Sequence, residues 1–304
     1  MNYYWADLLD DVMPERVASD LIWHYTSSAG VLGMLQSRGL WVSSVKSMND
    51  SGEVTHGFEF METRWIRTKD LYRHHELIES IVRSGGDSIQ DDLFVACAST
   101  IGDSLSQFRA YGSYAVGINV GVPLRAARKR EDVDTRIVTT SDLEADTALN
   151  NGWRPVLYTE VQKADLVDRF FRYLDGKGDA WPKADDGTDA ASYEASVATS
   201  QFVAVAAHLK HEAFADEREV RLFAQMSLTN PAVEVRDGRL GLTPFLIAQP
   251  DPGVDNAQPF QTMMNAARIG PGTIDAAAAL DGLKMALKKF GLSISAEALE
   301  IPLR

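Results

Sequence analysis

The chain has 304 residues, 45% of them hydrophobic and 24% charged, which predicts a globular protein with one large or two modest domains. Its 30 Lys and Arg against 43 Asp and Glu give a net charge of −13. This charge repels phosphate backbones and disfavours general nucleic-acid binding. The single cysteine, Cys97, excludes an intramolecular disulfide and a zinc site built from several cysteines.

The cellular location is predicted from the N-terminal segment and from the cysteine content. The segment MNYYWADLLDDVMPE is acidic and lacks the basic and apolar regions of a signal peptide. No apolar run approaches the ~20 residues of a membrane span. A single cysteine fits a reducing compartment, so we expect a cytoplasmic protein without a membrane partner.

The predicted elements begin with a helical extension over residues 1–20 and a strand at LIWHYT, whose period-two alternation places His24 near the strand end. A serine cap and apolar residues at helical spacing predict a helix after this strand. Gly39 suits the left-handed residue that ends a helix, and LWVSS is typical of a second strand.

The middle of the chain predicts a long helix from about residue 56 to residue 83, ended by SGG, and then the strand DLFVACAST. Asp103 is expected to cap a short helix before the strand SYAVGINV. WRPVLYTE predicts another strand, and ADLVDRFFRYL predicts an amphipathic helix. Residues 175–189 concentrate Gly, Asp and Pro, which indicates a mobile insertion or a domain boundary.

The last third predicts a helix over about 190–215, the strand DEREVRLFA and a hairpin that turns at Asp237 and Gly238. An Ala-rich helix over about 274–290 and a short strand follow. Because strands and helices mix without a regular βαβ order, we expect an α+β fold with a mixed or split central sheet and flanking helices, in one domain over residues 21–304.

Four polar clusters are candidates for chemistry, whereas the common phosphate-loop, dinucleotide, zinc-protease and serine-hydrolase motifs are missing. The clusters are His24-Tyr25-Thr26, Asn49-Asp50 with Glu53, Asp103 through Tyr111, and Glu217 with Glu219 and Arg221. Asn49-Asp50 also suits a simple turn, and His24 also suits a hydrogen-bonded structural role.

The acidic pair Glu217 and Glu219 carries the strongest local signal. Residues two apart in a strand point to one face, so both carboxylates would lie beside Arg221. Two anions so close need a cation or a polar ligand. This arrangement suits sugar hydroxyls or a developing positive charge, and the alternative is a solvated strand face with cross-strand ion pairs.

The order of the motifs is more specific than any one of them. HYTSSAGVLGMLQSRGLW, NDSGE, CASTIGDSLSQFRAYGSYAVGINV, VLYTE, LKHEAFADEREVRLF and RIGPG together resemble the bacterial family catalogued as domain of unknown function 2971, from about Leu21 to Arg304. That family usually carries tryptophan where this chain has Phe108. The family name assigns no activity.

The opening HYTS…L…L…RGLW is also distantly similar to the first block of ADP-ribosyltransferase-like folds. This resemblance implies that His24, with its neighbours Tyr25 and Thr26, binds the adenosine ribose of NAD. It further implies that an aromatic residue, Tyr111 or Tyr114, packs on nicotinamide.

The same resemblance implies that the late acidic pair performs the chemistry. Glu219 would stabilise the oxocarbenium-like transition state formed when ribose separates from nicotinamide. Glu217 would orient the acceptor or take its proton. Arg109 or Arg221 would pair with the pyrophosphate, although Arg221 also suits neutralisation of its acidic neighbours.

The leading hypothesis is an NAD-consuming ADP-ribosyltransferase-like enzyme, with NAD as substrate and an unknown protein, nucleic-acid or small acceptor, of the kind that serves as a toxin or phage-defence effector. A non-catalytic nucleotide- or protein-binding sensor module is the first alternative. A nuclease holding Mg²⁺ on Asp50, Glu53, Glu217 and Glu219 is the second, and the net charge weighs against it. The long helices leave a homodimer open.

Overall fold

The computed structural model describes residues 11–47, 51–87, 93–127, 152–181, 190–238, 241–250, 259–271 and 273–300. Within them, strands and helices mix irregularly along the chain, and eleven strands join in one mixed sheet. The protein is α+β, as the irregular order of the predicted elements indicates. None of the described helices combines the length and the apolar character needed to traverse a bilayer.

The strands form where apolar and β-branched residues cluster between turn residues. In chain order they are β1 (Leu21–Thr26), β2 (Leu40–Ser44), β3 (Leu93–Ser99), β4 (Tyr114–Asn119), β5 (Leu124–Ala126), β6 (Arg154–Pro155), β7 (Glu219–Gln225), β8 (Glu234–Gly238), β9 (Gly241–Pro250), β10 (Met264–Ile269) and β11 (Ser295–Ala298). β10 and β11 pair in parallel, whereas β1, β3, β7 and their neighbours pair antiparallel.

Four of the helices have a polar N-cap whose side chain bonds to the first turn. They are α1 (Ser28–Ser37), α2 (Ser51–Thr68), α3 (His75–Asp87), α4 (Leu105–Tyr111), α5 (Glu160–Lys177), α6 (Ala190–Ala206), α7 (Pro259–Met263) and α8 (Ala276–Lys289). Ser27, Ser104 and Asp275 each accept a hydrogen bond from an amide in the first turn of α1, α4 and α8. Thr159 and Gln162 form a capping box at the start of α5.

The sheet splits beside Cys97, because β3 has three neighbours and only two edges. β7 pairs with one edge along its whole length, from Leu93 to Ser99. The other edge pairs with β1 at Ser99 and with β2 at Val95 and Phe94. β1 and β2 therefore separate at a point that we call the fork. From the fork, one branch continues through β4, β10 and β11, and the other through β9 to β5 and β8.

Two main cores cover the opposite faces of the sheet, following the alternation of side chains in β3. Phe94, Ala96 and Ala98 lie in a core with side chains of α1, α7 and α8. Leu93 and Val95 point to the other face and pack in a core with α2, α3, α5 and α6. A small third cluster joins Trp23, Tyr25, Phe108 and Ala115 on this second face. Glu219 and Arg221 share the second face with Phe223 of β7. His24 alternates with Trp23 and Tyr25 along β1, so its position in the strand is on the face of Ile22, which belongs to the first core.

The predicted helix over 56–83 is instead two helices, α2 and α3, separated by the 3-10 helix Lys69–Leu71. Tyr72 follows this break, and its ring centroid lies 5.8 Å from that of Trp65 and 5.9 Å from that of Phe171. The buried aromatic cluster holds the chain reversal that returns α3 to the core. Local helix propensity does not encode this reversal, and α3 also continues past the expected end, to Asp87.

The predicted helix over 190–215 ends at Ala206, because the next residues pair with the segment before α5. Leu157 N–H donates to the His208 carbonyl at 2.8 Å, and Lys210 N–H donates to the Leu157 carbonyl at 3.1 Å. A 3-10 helix, Glu212–Glu217, then leads to β7. Glu217 therefore precedes the strand, contrary to the expectation that it shares a strand face with Glu219.

Three smaller predictions also need correction. Arg38, at φ 52°, is the left-handed residue after α1, where Gly39 was expected. Ser104, one residue after Asp103, caps α4. The hairpin forms, but Gly238 pairs with Gly241, so its turn falls at residues 239–240, outside the described residues.

The expected extension and insertion fall partly outside the described residues. Residues 1–10 of the expected extension and residues 182–189 of the expected insertion lie outside the described residues. Residues 14–19 adopt no regular secondary structure. Residues 175–177 end α5, and Gly178–Ala180 form a 3-10 helix.

Candidate functional site

His24 lies in the fork and bonds to the backbone of β3. Its Nδ1 lies 2.8 Å from the Cys97 carbonyl oxygen. A carbonyl only accepts, so Nδ1 carries the proton and Nε2 has its lone pair available as an acceptor. Burial, more than the nearby positive charge of Arg236, lowers the pKa of His24 and so favours the neutral ring, against the weaker effect of the Cys97 hydrogen bond.

The pairing of β7 with the opposite edge of β3 explains why the Cys97 carbonyl needs a hydrogen bond from a side chain. The Glu219 carbonyl accepts from Val156 N–H at 2.9 Å, so the backbone of Glu219 faces away from β3. In an antiparallel pair of strands, hydrogen-bonded and non-hydrogen-bonded residue pairs alternate. Ser99 faces Glu219 and Cys97 faces Arg221, so both are non-hydrogen-bonded positions whose backbone groups point away from β7. The Cys97 carbonyl points into the fork, and His24 satisfies it.

Glu219, the first residue of β7, sits in a buried ionic cluster on the second face of the sheet. Lys210 Nζ lies 3.0 Å from its Oε2 and 2.5 Å from Glu217 Oε2. Arg221 Nε lies 2.7 Å from Glu219 Oε1, and its Nη2 lies 2.9 Å from Oε2. We call these four residues the tetrad. Two cations balance two carboxylates, so the tetrad is neutral.

The two carboxylates of the tetrad differ in exposure and in ionisation. Burial of Glu219 opposes ionisation, but the charges of Arg221 and Lys210 outweigh burial and lower its pKa to about 2. The side chain of Glu217 is 16% exposed against 9% for Glu219, so Glu217 is the more accessible of the two. Glu219 is therefore a buried permanent anion, with Glu217 on its solvent side.

Arg218 brings the two carboxylates to one lysine although they do not share a strand. It adopts the left-handed conformation at φ 44° and links the 3-10 helix to β7. A non-glycine residue in this region carries strain that the surrounding contacts must hold. Thr100 N–H donates to the Arg218 carbonyl at 3.1 Å, and Ser99 Oγ donates to the Glu217 carbonyl at 2.6 Å.

Two tyrosines border the tetrad. Tyr158 Oη accepts from Glu219 N–H at 2.9 Å, and burial chiefly raises the pKa of its phenol. Tyr111, at the end of α4, is 37% exposed. Burial and the charge of Glu217 raise the pKa of Tyr111, with Lys210 opposing them. Of the two predicted aromatic candidates, Tyr111 is the one that faces the carboxylates.

Cys97 connects the histidine to the tetrad. Its thiol hydrogen-bonds the Glu219 carboxylate, which helps to hold that group ionised. Its carbonyl accepts from His24. The early histidine and the late glutamate therefore contact the same residue of β3, on either side of the strand.

Other predicted site residues lie elsewhere. Tyr25 is buried: its Oη donates to the Ile101 carbonyl at 2.6 Å and accepts from Ser104 N–H at 3.0 Å, which ties the start of α4 to β1. Tyr114 packs beside the first core and pairs with Thr26 across β4 and β1. Arg109 is exposed on α4.

Arg221, predicted for the pyrophosphate or for its acidic neighbours, binds Glu219 and the Ala207 carbonyl through its guanidinium and is 1% exposed. This geometry corresponds to the second interpretation, in which Arg221 neutralises adjacent acid.

Sequence reasoning missed Lys210 and Arg236. Lys210 ends the apolar run VAVAAHLK, and a lysine there is a signal, because a cation that enters a core needs acidic partners. Arg236 lies on β8, half-buried, with Nη2 2.9 Å from Ser43 Oγ. It contacts residues far away in the sequence, so no local pattern predicts it.

The predicted magnesium set does not assemble among the described side chains. The Lys210 ammonium lies between Glu217 and Glu219, in the position that a metal ion would take. Asp50 and the side chain of Glu53 lie outside the described residues, as does Asn49. Within the described part of the chain, no group of three or more His, Cys, Asp or Glu residues is arranged to hold a metal ion.

The fork, the tetrad and the tyrosines are the features against which relatives would be compared. A scan against protein-family models, a search of curated proteins and a search of solved structures each found no match to this chain.

Proposed function

We propose that the protein is an NAD-consuming enzyme of the ADP-ribosyltransferase-like kind, with its cleft at the fork. The observation that carries the proposal is the convergence on Cys97 of His24 from β1 and Glu219 from β7. Burial raises the pKa of Tyr111, which lies near enough to Glu217 and Glu219 for their charges to raise it further. The split sheet and the distant similarity of the opening segment to the first block of ADP-ribosyltransferase-like folds support the same proposal.

In the proposed reaction, the bond between ribose C1′ and the nicotinamide nitrogen breaks, and its electron pair leaves with nicotinamide. The positive charge that develops on the ribose is stabilised by the fixed carboxylate of Glu219. The acceptor, or water, then forms a bond to C1′, and Glu217 takes its proton. Tyr111 packs on the nicotinamide ring, and His24 Nε2 accepts from a ribose hydroxyl.

The test measures nicotinamide release from NAD by chromatography. Removal of one preorganised electrostatic group slows such reactions about a hundredfold or more, so we expect that loss in Glu219→Gln. Tyr111→Ala removes the ring that packs on nicotinamide, and Glu217→Gln removes the proton acceptor. Both residues are more exposed than Glu219, so we expect these variants to reduce turnover while the chain stays folded. Glu212→Gln, on an exposed residue of the same 3-10 helix, is the matched control and should release nicotinamide at the wild-type rate.

Two results would contradict the enzyme. The first is that the wild-type protein releases no nicotinamide across a range of macromolecular acceptors. The second is that folded Glu219→Gln releases it as fast as wild type, since the buried carboxylate would then stabilise no developing charge.

A second candidate is a non-catalytic sensor module that binds a nucleotide at the fork. The saturation of Glu219 favours it, because both carboxylate oxygens already bond to Lys210 or Arg221. Binding of NAD or ADP-ribose in calorimetry, without nicotinamide release, would select this candidate over the enzyme.

A further inference from the structure

Arg236 occupies an aromatic cradle on the second branch of the sheet. Its guanidinium carbon lies 5.0 Å from the ring centroid of Trp41 and 5.7 Å from that of Phe245. Nη2 donates to Ser43 Oγ at 2.9 Å, and Nη1 lies 3.3 Å from the Asp237 carbonyl. Aromatic faces attract a guanidinium and hold its plane in one orientation. The group is therefore fixed in place before any ligand arrives.

This cation lacks the partner that a desolvated charge normally has. Among the described residues no carboxylate forms a salt bridge with Arg236, and its buried Nε has no hydrogen-bond partner there. Burial lowers the pKa of Arg236, against the attraction of Asp237. A guanidinium has five donors, and two of them form hydrogen bonds here.

The contrast with the fully buried Arg221 is informative. Arg221 is 1% exposed and binds a carboxylate on two nitrogens. The chain has 43 acidic residues, so acidic partners are abundant. A guanidinium that is desolvated, oriented by two rings and left without such a partner has the properties of a site for an external anion.

The position of Arg236 connects it to the fork. Its partner Ser43 pairs with Val95 on β3, two residues before Cys97 on the same strand face. The positive charge of Arg236 also contributes to the lowered pKa of His24. Arg236 therefore lies on the β2 side of the fork, and the tetrad lies across β3, on the β7 side.

We propose that Arg236 binds a phosphate group of the ligand at the fork, with Ser43, Trp41 and Phe245 holding its guanidinium in position. The assignment to the pyrophosphate of a dinucleotide rests on the proposed function. Phosphate binding itself does not. An isolated diphosphate fits one arginine, whereas the net charge of −13 opposes a long polyanion such as DNA or RNA.

The test titrates ADP and inorganic pyrophosphate into the protein by calorimetry. Hydrogen bonds to charged groups contribute about tenfold or more to affinity, so we expect Arg236→Gln to weaken both ligands by at least that factor. Ser43→Ala, which removes only the hydroxyl that orients Nη2, should weaken them several-fold. Arg125→Gln, on an exposed arginine of the neighbouring strand β5, is the control and should bind as wild type does.

Thermal unfolding separates ligand binding from a structural role. A residue kept for a ligand adds little to the stability of the free protein. We therefore expect the Tm of free Arg236→Gln to match or exceed that of wild type, and its increase with ADP to disappear. A lower Tm together with unchanged ADP affinity would assign Arg236 to the structure and overturn the proposal.

The remaining outcomes also decide the question. If neither ADP nor pyrophosphate binds the wild-type protein, Arg236 is not a phosphate site. If both bind through Arg236 but NAD releases no nicotinamide, the phosphate site stands and the enzymatic proposal fails. If nicotinamide is released equally by wild type and by Arg236→Gln at limiting NAD, the enzyme stands and the phosphate site fails.

Discussion

At the scale of single residues, Glu219 couples the acidity of the solution to the stability of the fold. Its pKa is lowered to about 2 in the folded protein by Arg221 and Lys210. In the unfolded chain the carboxyl group has its ordinary pKa of about 4.5. A lowered folded-state pKa stabilises the protein above the unfolded value, and this stabilisation is lost as the pH falls through the folded value.

We predict that Glu219→Gln lowers the free energy of unfolding at pH 7 by about 3 to 5 kcal/mol, because it leaves buried cations without their partner. The difference between wild type and Glu219→Gln should shrink as the pH falls from about 4.5 to about 2. Urea denaturation followed by circular dichroism at several pH values measures both effects. Glu212→Gln, on the exposed side of the 3-10 helix, should differ from wild type by less than about 0.5 kcal/mol.

A difference that stayed constant with pH would show that Glu219 titrates alike in the folded and unfolded chains. The tetrad would then not hold its charge in the way that its distances imply.

The residues of the site show which contacts a sequence can predict. His24 and Glu219 were predicted as important because a histidine at a strand end and a closely spaced acidic pair are visible locally. Arg236 was missed because its aromatic partners come from other segments. Lys210 was missed although its carboxylate partners are close in the sequence, because nothing local shows that Lys210 is buried. The burial that makes Lys210 require two carboxylates exists only once α6 ends at Ala206 and the chain turns toward β7.

At the scale of elements, the packing of α2 against α6 depends on the absence of a side chain. Gly57 is buried in α2, and a Cβ atom there would lie 2.0 Å from the Ala206 carbonyl oxygen at the end of α6. The obstacle is backbone, which cannot rotate away. The two helices approach closely because residue 57 has no Cβ atom.

We predict that Gly57→Ala lowers the free energy of unfolding by about 1 to 3 kcal/mol, as overpacked core substitutions do. The control is Gly282→Ala, in the middle of α8, where a Cβ atom would meet nothing within 4 Å. That change should raise the free energy of unfolding by about 0.5 to 1 kcal/mol through helix propensity. Urea denaturation measures both, and equal shifts for the two variants would contradict the packing argument.

Strand positions were predicted better than helix lengths. Strands β1, β2, β3, β4 and β7 follow apolar runs and period-two alternation, which are local signals. The break between α2 and α3 is set by the packing of Tyr72 against Trp65 of α2 and against Phe171 of α5, which is distant in the chain. The helical spacing of apolar residues in the sequence therefore continues across residues 69–71, although tertiary packing interrupts the helix there.

At the scale of the whole molecule, stability should decrease from β3 toward the edges of the sheet. Ala96 lies in the centre of β3, is 2% exposed and forms a hydrogen-bonded pair with Leu222. Ala296 lies on the edge strand β11, whose side chains alternate between exposed and half-buried. Local opening of an edge strand costs less free energy than separation of the central strands.

We predict that the Ala96 amide exchanges with deuterium orders of magnitude more slowly than the Ala296 amide. Comparing two alanines limits differences in intrinsic exchange rate, and nuclear magnetic resonance resolves both sites. Similar protection at the two positions would indicate that the sheet opens in one cooperative step.

The overall α+β class followed from the irregular order of elements, but the fork did not. It exists because β1 and β2, which are adjacent in sequence, both pair with the same edge of a strand about 50 residues later, a long-range pairing that local pattern reasoning does not reach.

The fork also gives the molecule a mechanical property. Two strands that leave one edge at different heights enclose a wedge, and the angle of that wedge changes with the twist of β3. His24 holds the apex of the wedge through one hydrogen bond, at the Cys97 carbonyl. A molecule seated in the wedge would contact both branches of the sheet at the point where they separate.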